Sequence, residues 1–489
     1  LAELMATRYA LLNLFHATAL AGAEGKQLLP DSVLKIRVRV ALSELERYTQ
    51  ARLGNVHAPE TAGKFIAATF EHDTARPVGG YAAPQLHTHA VIFNVTEREN
   101  GQTRALQPQE LFASQHYATS VYRSELAVRL QELGYELERG KHGQPEIKSY
   151  MKDYLEASIQ RREQIKDHLR ELGIDGARAA QVAAHRTRDR KELHSPEEVL
   201  QRHRDLAAQH GHQADQIVAE ARQHRQQQRQ RHVYSPDQAA QRAVTYARDH
   251  VFERSAVEDR RDILEAALNR GMGQTTFAHV RQEFERRVQA GEFRAVDRVG
   301  AGQQYTTAVM LRTERETIGH MQEGNRRCYS DPMLVPGRIR IESEDRHPEL
   351  NAGQRLAVDQ IFPSREKIVG LDGVAGTGKT TTLVVVREGA EGAGYKVEGF
   401  APTSRATQTL GDTGIESMTL QAHLARGQRV DTGEHRLYIV DAGSLASTKH
   451  MHEFVDVCIR TTGFSWWATH ASMNPLKPAA SSRSFRMLG

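Results

Sequence analysis

Residues 373–381, GVAGTGKTT, constrain the fold more than any other stretch of this chain. The G-x-x-x-x-G-K-[ST] spacing works only between a strand and a helix, where glycines let backbone N–H groups curl around phosphate oxygens and the helix N-terminus adds its positive end. Both flanks are present. KIVGL (367–371) reads as a strand and TTTLVVVREGA (380–390) as the helix. In this frame Gly373, Gly376 and Gly378 shape the loop, Lys379 reaches the terminal phosphates, and Thr380, followed by Thr381, supplies a hydroxyl to Mg²⁺. ATP with Mg²⁺ is the expected ligand. A second strand, RLYIVD, ends in Asp441, where a carboxylate completes the Mg²⁺ shell, but Ala442 follows where such sites usually carry a water-orienting glutamate, which makes hydrolysis slow.

Beyond Leu350 strands alternate with helices, the pattern of a parallel sheet. LNAGQ, which contains Gln354, and APTSRA (401–406) resemble the adenine-contacting and single-strand-contacting motifs of superfamily 1 helicases. In this order they give a RecA-like lobe over 346–455.

A second constellation lies far upstream. KFIAATFEHDTARP (64–77) and LHTHAVIFNVTE (86–97) read as neighbouring antiparallel strands joined by the turn-prone PVGGYAAP. Because side chains alternate along a strand, His87 and His89 share one face, continued by Val91 and Phe93, and the partner strand can bring His72 across to them. Three neutral imidazoles with open positions suit first-row divalent metals such as Mn²⁺ or Zn²⁺ better than hard Ca²⁺, and suit Lewis-acid activation of a phosphodiester; Mg²⁺ is a further expectation for this site. The bland reading is chance, since the chain has 24 histidines.

Around this pair the pattern is α+β. A helix is expected to run from about Val40 to near Leu53-Gly54. Residues 108–133 place Leu111, Tyr117, Val121, Leu126 and Leu133 on one stripe, stopped by Gly134. From 150 to 232 the chain is polar and helical, ending in the cationic ARQHRQQQRQRH, read as a linker helix over nucleic acid or as a solvated face. Residues 236–345 suggest a helical, winged-helix-like connector. The expected organisation is therefore an unmatched segment 1–39, an α+β domain 40–215, a linker 216–235, a connector 236–345, the nucleotide-binding lobe 346–455 and a tail 456–489.

Composition adds limits. At 489 residues, two to four domains are expected, and a formal charge of +4 makes a polyanionic partner plausible. Two cysteines are too few for a disulfide framework. Neither a bilayer-spanning run nor a signal peptide is recognisable, so the reading is a cytoplasmic protein without membrane insertion.

FEHDTARP, PQLHTHAVIFNVTE, AAHRTRDRKE (183–192), GVAGTGKTT and DAGSLAST (441–448) together resemble the MobF family of conjugative relaxase-helicases, of the TrwC and TraI type, over roughly residues 40–455. The resemblance implies an HUH-type endonuclease whose metal ligands are His72, His87 and His89. It implies nicking of single-stranded DNA at a plasmid origin of transfer by tyrosine transesterification, ATP-driven unwinding, and coupling-protein and relaxosome partners. The family's nucleophilic tyrosine is not identifiable. Tyr9 lies too close to His72 in sequence, and Tyr48 reads as structural.

The last segment departs from its surroundings. DVCIRTTGFSWWATHASMNPLKPAASSRSF carries both tryptophans and no helix or strand pattern. Shifted by one base, the codons of SWWATHASMN can spell LVGDTRQHE, which resembles the third helicase motif, and we read a frameshift near Asp456. The expectation is a relaxase-helicase fragment, incomplete at both ends and impaired in activity. The rivals are a RecD-like repair helicase fragment with merely structural histidines, and a non-catalytic remnant that binds single-stranded DNA.

Overall fold

The computed structural model describes residues 31–54, 57–74, 77–78, 81–141, 143–158, 160–187, 195–228, 235–296, 302–326, 333–373, 378–427, 434–441, 446–460, 465–470 and 484–487. The chain divides into two compact units. The first holds residues 1–250, 259–290 and 296–304; the second holds 251–258, 291–295 and 305–489.

In the first unit the helix Asp31–Glu46 buries Val38, Ala41, Leu42 and Leu45 at helical spacing and packs on the helix Gln115–Glu132. It stops well before the expected Leu53-Gly54. Tyr48 and Thr49 bond back to the carbonyls of Leu45 and Glu46, and the turn releases β1 (Gln50–Ala51) to pair antiparallel with β2 (Glu60–Thr61) on one side and Leu106–Gln107 on the other. β3 (Ala67–Thr74) and β4 (Pro84–Ile92) then form the antiparallel hairpin read from the sequence.

Short strands follow: β5 (Thr96–Glu97), β6 (Thr103–Arg104) and β7 (Leu106–Gln107). Leu111, Tyr117, Val121 and Leu126 are buried as the stripe required, while Leu133 is half-buried. Gly134 ends the helix with φ +98°, its N–H donating to Gln131 O and that of Tyr135 to Leu130 O, a paired C-cap. β8 (Leu137–Arg139) and β9 (Pro145–Ile147) form another small hairpin.

The stretch read as a linker is packed at its start. In the helix Gln213–Gln228, Ile217 and Ala221 are buried, and a Cβ on Gly134 would collide with the Ala221 carbonyl. The compact unit reaches past residue 235 and takes in about half of residues 236–345, whose helices Arg260–Gly271 and Phe277–Gln289 pack on Gln115–Glu132. A buried charge cluster pins them. Glu44, 3% exposed, accepts hydrogen bonds from the Tyr117 hydroxyl at 3.0 Å and from Arg47 and Arg281 at 3.2 and 3.3 Å, with Arg260 at 3.8 Å. Short strands β10 (Glu258–Asp259), β11 (Phe293–Val296) and β12 (Gln304–Thr307) lie along the same stretch.

The second unit is built on a six-stranded sheet. Its strands are β13 (Ile368–Gly373), β14 (Lys396–Ala401), β15 (Glu416–Thr419), β16 (Arg436–Val440), β17 (Ser465–His470) and β18 (Ser484–Met487), in the order β15-β14-β16-β17-β13-β18, all pairings parallel. Both faces are covered, as a parallel sheet requires. Val369, Leu371, Val397, Leu437 and Ile439 face one core with helices Ala352–Ile361 and Lys379–Gly392. Ile368, Phe400, Tyr438 and Val440 face the other, with Met451, Phe454 and Val455.

Two features correct the sequence reading. The helix Thr448–Arg460 runs past Asp456, and the tail read as patternless forms β17 and β18. Backbone groups on the facing edges of β13 and β16 need partners away from water, and the six residues of β17 supply them to both.

Candidate metal centre and nucleotide site

The register of one hairpin builds the histidine cluster. His72 stands opposite His87 and Phe70 opposite His89, so all three imidazoles lie on one face, while Thr88, Ala90 and Ile92 turn to the buried face. Ring centroids are 5.4 Å apart for His72 and His87, and 4.8 Å for each of the other pairs. Among the described residues only these three bring histidine, cysteine or carboxylate ligand atoms together as a group, all within 4.8 Å of one another. The register shifts between His72 and Thr74, a bulge that ends the ladder beside the site. Near the turn, His203 Nε2 lies 2.7 Å from the Ala82 carbonyl, which ties the loop to the helix Pro196–Gln209.

The cluster fits a divalent ion on its own chemistry. The Nε2 atoms of His87 and His89 are 3.1 Å apart, close to the roughly 3.3 Å expected between two ligand nitrogens at about 2.0–2.1 Å from a tetrahedral ion. Burial, and then the neighbouring His87 and His72, hold the His89 imidazole below its ordinary pKa, which favours the neutral, ligating form. His89 Nδ1 is buried without a hydrogen-bond partner. His72 is exposed and His87 half-buried, so the group stays reachable from solvent.

In the second unit, strand direction collects the candidate nucleotide-binding residues at one sheet edge. Gly373 ends β13, Thr403 follows β14 and Asp441 follows β16, all at the carboxyl ends of parallel strands, where such sheets bind ligands. Lys379, 7% exposed, opens the helix Lys379–Gly392, with Thr380 half-buried and Thr381 exposed. Gly376 and Ala442 fall outside the described residues. Asp441 N–H donates to the Phe400 carbonyl, which fixes the backbone where the carboxylate projects.

Gln354 is more deeply engaged than its motif suggested. Its Oε1 accepts from Asn351 N–H at 2.8 Å while Asn351 Oδ1 accepts from Gln354 N–H at 2.9 Å, a reciprocal cap on the helix Ala352–Ile361. Its Nε2 also donates to the Gly378 carbonyl at 3.1 Å, joining this motif to the phosphate loop. Gly378 has φ +76°, and a Cβ there would collide with that amide. Sequence reasoning missed Asn351 as the partner that sets this glutamine, although the N-x-x-Q spacing carries the signal.

Tyr48 is held elsewhere. Its ring lies under Arg261 at 4.8 Å; burial raises its pKa, with Arg260 opposing. With Arg47, Gln50, Thr61, Glu110, Arg260 and others it lines a cavity of about 260 Å³. Tyr9 is outside the described residues.

Comparison with known proteins places both parts. Residues 19–210 match the TrwC relaxase family, and residues 349–463 match an AAA domain. The chain is 33% identical over 173 residues to the multifunctional conjugation protein TraI of Escherichia coli (strain K12), covering 33% of this chain and 9% of that protein. It is 31% identical over 173 residues to the conjugal transfer protein TraA of Agrobacterium fabrum (strain C58 / ATCC 33970), covering 35% of this chain and 15% of that one. Among solved structures, a metal-bound conjugative relaxase TrwC in complex with oriT DNA aligns at 31% identity and TM-score 0.37, covering 40% of this chain and 70% of that chain. The chain thus spans well under a fifth of either curated relative. Among the described residues no helix is long and apolar enough to cross a membrane.

Proposed function

As a member of the conjugative relaxases of the TrwC and TraI type, joining a relaxase domain to an AAA domain, this chain, we propose, binds single-stranded DNA from an origin of transfer at the His72, His87 and His89 face and binds ATP with Mg²⁺ in its second unit. The observation that carries the reading is the convergence of three imidazoles through the β3–β4 register. A divalent ion there, Mn²⁺, Mg²⁺ or Zn²⁺, would supply Lewis-acid polarisation of a phosphodiester oxygen. His72, His87 and His89 would hold that ion through neutral imidazole nitrogens, on a face that is partly open to solvent. Among the described residues no tyrosine is identified as the nucleophile that strand transfer needs, and Tyr48 is already packed under Arg261. The contribution of the described residues is therefore binding and polarisation.

In the second unit, Lys379 would neutralise the terminal phosphates of a bound ATP, Thr380 and Asp441 would supply oxygens to its Mg²⁺, and Gln354 holds the loop through the Gly378 carbonyl. Coupling of that site to DNA unwinding, a winged-helix role for residues 236–345, a change of reading frame near Asp456, and the coupling-protein and relaxosome partners belong to the same proposal. Titration calorimetry of Mn²⁺ into the full chain and into His87→Ala tests the first half. Affinity should fall at least about tenfold in the variant, and oligonucleotide binding should weaken as salt rises. Unchanged Mn²⁺ affinity would leave the histidines structural and favour a repair-type helicase fragment.

A further inference from the structure

The face that carries the three imidazoles continues beyond them, and its continuation is apolar. In antiparallel pairs its rows are His72 with His87, Phe70 with His89, and Ala68 with Val91. Ile66 and Phe93 extend the ladder by one more row, the Phe93 N–H donating to the Ile66 carbonyl at 2.9 Å. Opposed side chains on one face have Cβ atoms roughly 4.5–5.5 Å apart, and successive rows stand about 6.6–6.8 Å apart. The Phe70 ring therefore borders the place where the three imidazoles meet.

Two of these apolar side chains are open. Ile66 is 61% and Phe70 53% exposed, while the opposite face of β4 buries Thr88, Ala90 and Ile92. One exposed apolar residue is ordinary on a protein surface, but two in line with a group of ligand-type histidines form a patch. Charge narrows what covers it. The four rows hold no carboxylate, because Glu71 lies between Phe70 and His72 in the strand and belongs to the other face. An ion held by the histidines would make one end of the face positive, and the adjoining end is uncharged and apolar. A nucleotide of single-stranded DNA has that order of chemistry, an anionic phosphate joined to a flat ring.

We propose that Phe70 stacks the base adjoining the phosphate held at the histidine face, with Ile66 and Phe93 flooring the path of the strand beyond it. The inference rests on the reading of the triad as an ion site for single-stranded DNA and adds the side chain that seats the base. Every base has a π-face, so Phe70 fixes the position of the strand and not its sequence.

The test uses the full chain and two fluorescent single strands of equal length, one of thymine nucleotides and one with the same sugar-phosphate backbone but no bases. Binding is followed by anisotropy with and without Mn²⁺, and the comparison is made on the affinity that Mn²⁺ adds. The wild type should prefer the base-bearing strand. Phe70→Ala should weaken binding of that strand about fivefold or more, leave the base-free strand and Mn²⁺ affinity unchanged, and keep the salt dependence, because the ring carries no charge. Phe70→Trp should restore the preference. Phe70→Leu, which keeps apolar bulk and replaces Phe70→Ala should that variant not fold, should fail to restore it.

Equal binding of the base-bearing strand by wild type and Phe70→Ala, with the Mn²⁺ dependence retained, would overturn the stacking role and leave the triad reading standing. Equal weakening of both strands would assign Phe70 to the fold and overturn the role as well. DNA binding indifferent both to Mn²⁺ and to His87→Ala would remove the triad reading, and this inference with it.

Discussion

The two sites are assembled in opposite ways. In the first unit, two paired strands bring the three histidines together by register alone, on a face still open to solvent. In the second, residues separated by whole strands and helices meet only because six parallel strands end at one edge over two packed cores. A site made by local pairing depends little on distant packing. A site made by topology inherits every weakness of its core.

The largest expected effect tests that contrast directly. Phe400, fully buried against Tyr438, Phe454 and His423, loses its packing in Phe400→Ala, which should destabilise the second unit by about 3–5 kcal/mol in chemical denaturation. Mn²⁺ binding at the triad should survive. If both fail together, the hairpin site is not independent and the contrast is wrong.

Next in size is His89→Ala, expected to lower Mn²⁺ affinity at least about tenfold in calorimetry while moving the unfolding midpoint little, because the histidine face is partly open. A large loss of stability would show that the imidazole is core, not ligand. Gly378→Ala should then cost about 1–3 kcal/mol through its positive φ and its collision with Gln354, read as weaker binding of an ATP analogue with DNA binding retained. Normal nucleotide affinity in that variant would remove Gln354 from the site.

The smallest effect is a pH dependence confined to the second unit. His347 lies 2.8 Å from Glu388 and 2.9 Å from Glu349, and hydrogen bonds to those carboxylates raise its pKa above the ordinary imidazole value. A pKa raised on folding contributes stability that is fully present below about 6.5 and disappears as pH rises through the folded-state value. Melting followed from pH 6 to 9 should therefore show a decline that His347→Gln flattens; parallel profiles would assign the dependence elsewhere.

How far the sequence could be read follows the same division. Alternation placed His87 and His89 on one face, and the stripe through Tyr117 and Val121 marked a buried helix face, because both patterns are local. The phosphate-loop spacing announced its strand and helix for the same reason. The end of the first helix was misplaced because Gln50 and Ala51 find their partners at residues 60–61 and 106–107, a competition that helical spacing does not reveal. The burial of Glu44 beside Arg260 and Arg281 arises only when helices from distant parts of the chain pack. β17 escaped for a related reason: its place between β16 and β13 is set by its neighbours' unmet backbone groups rather than by any alternation of its own.

The strand parity that unites the three histidines also decides how this site can change over generations. Extra residues in the turn between β3 and β4 can loop outward and leave His72 opposite His87. One residue inserted between His87 and His89 would send an imidazole to the opposite face. The turn is thus free to explore length, while the strands can explore only substitution.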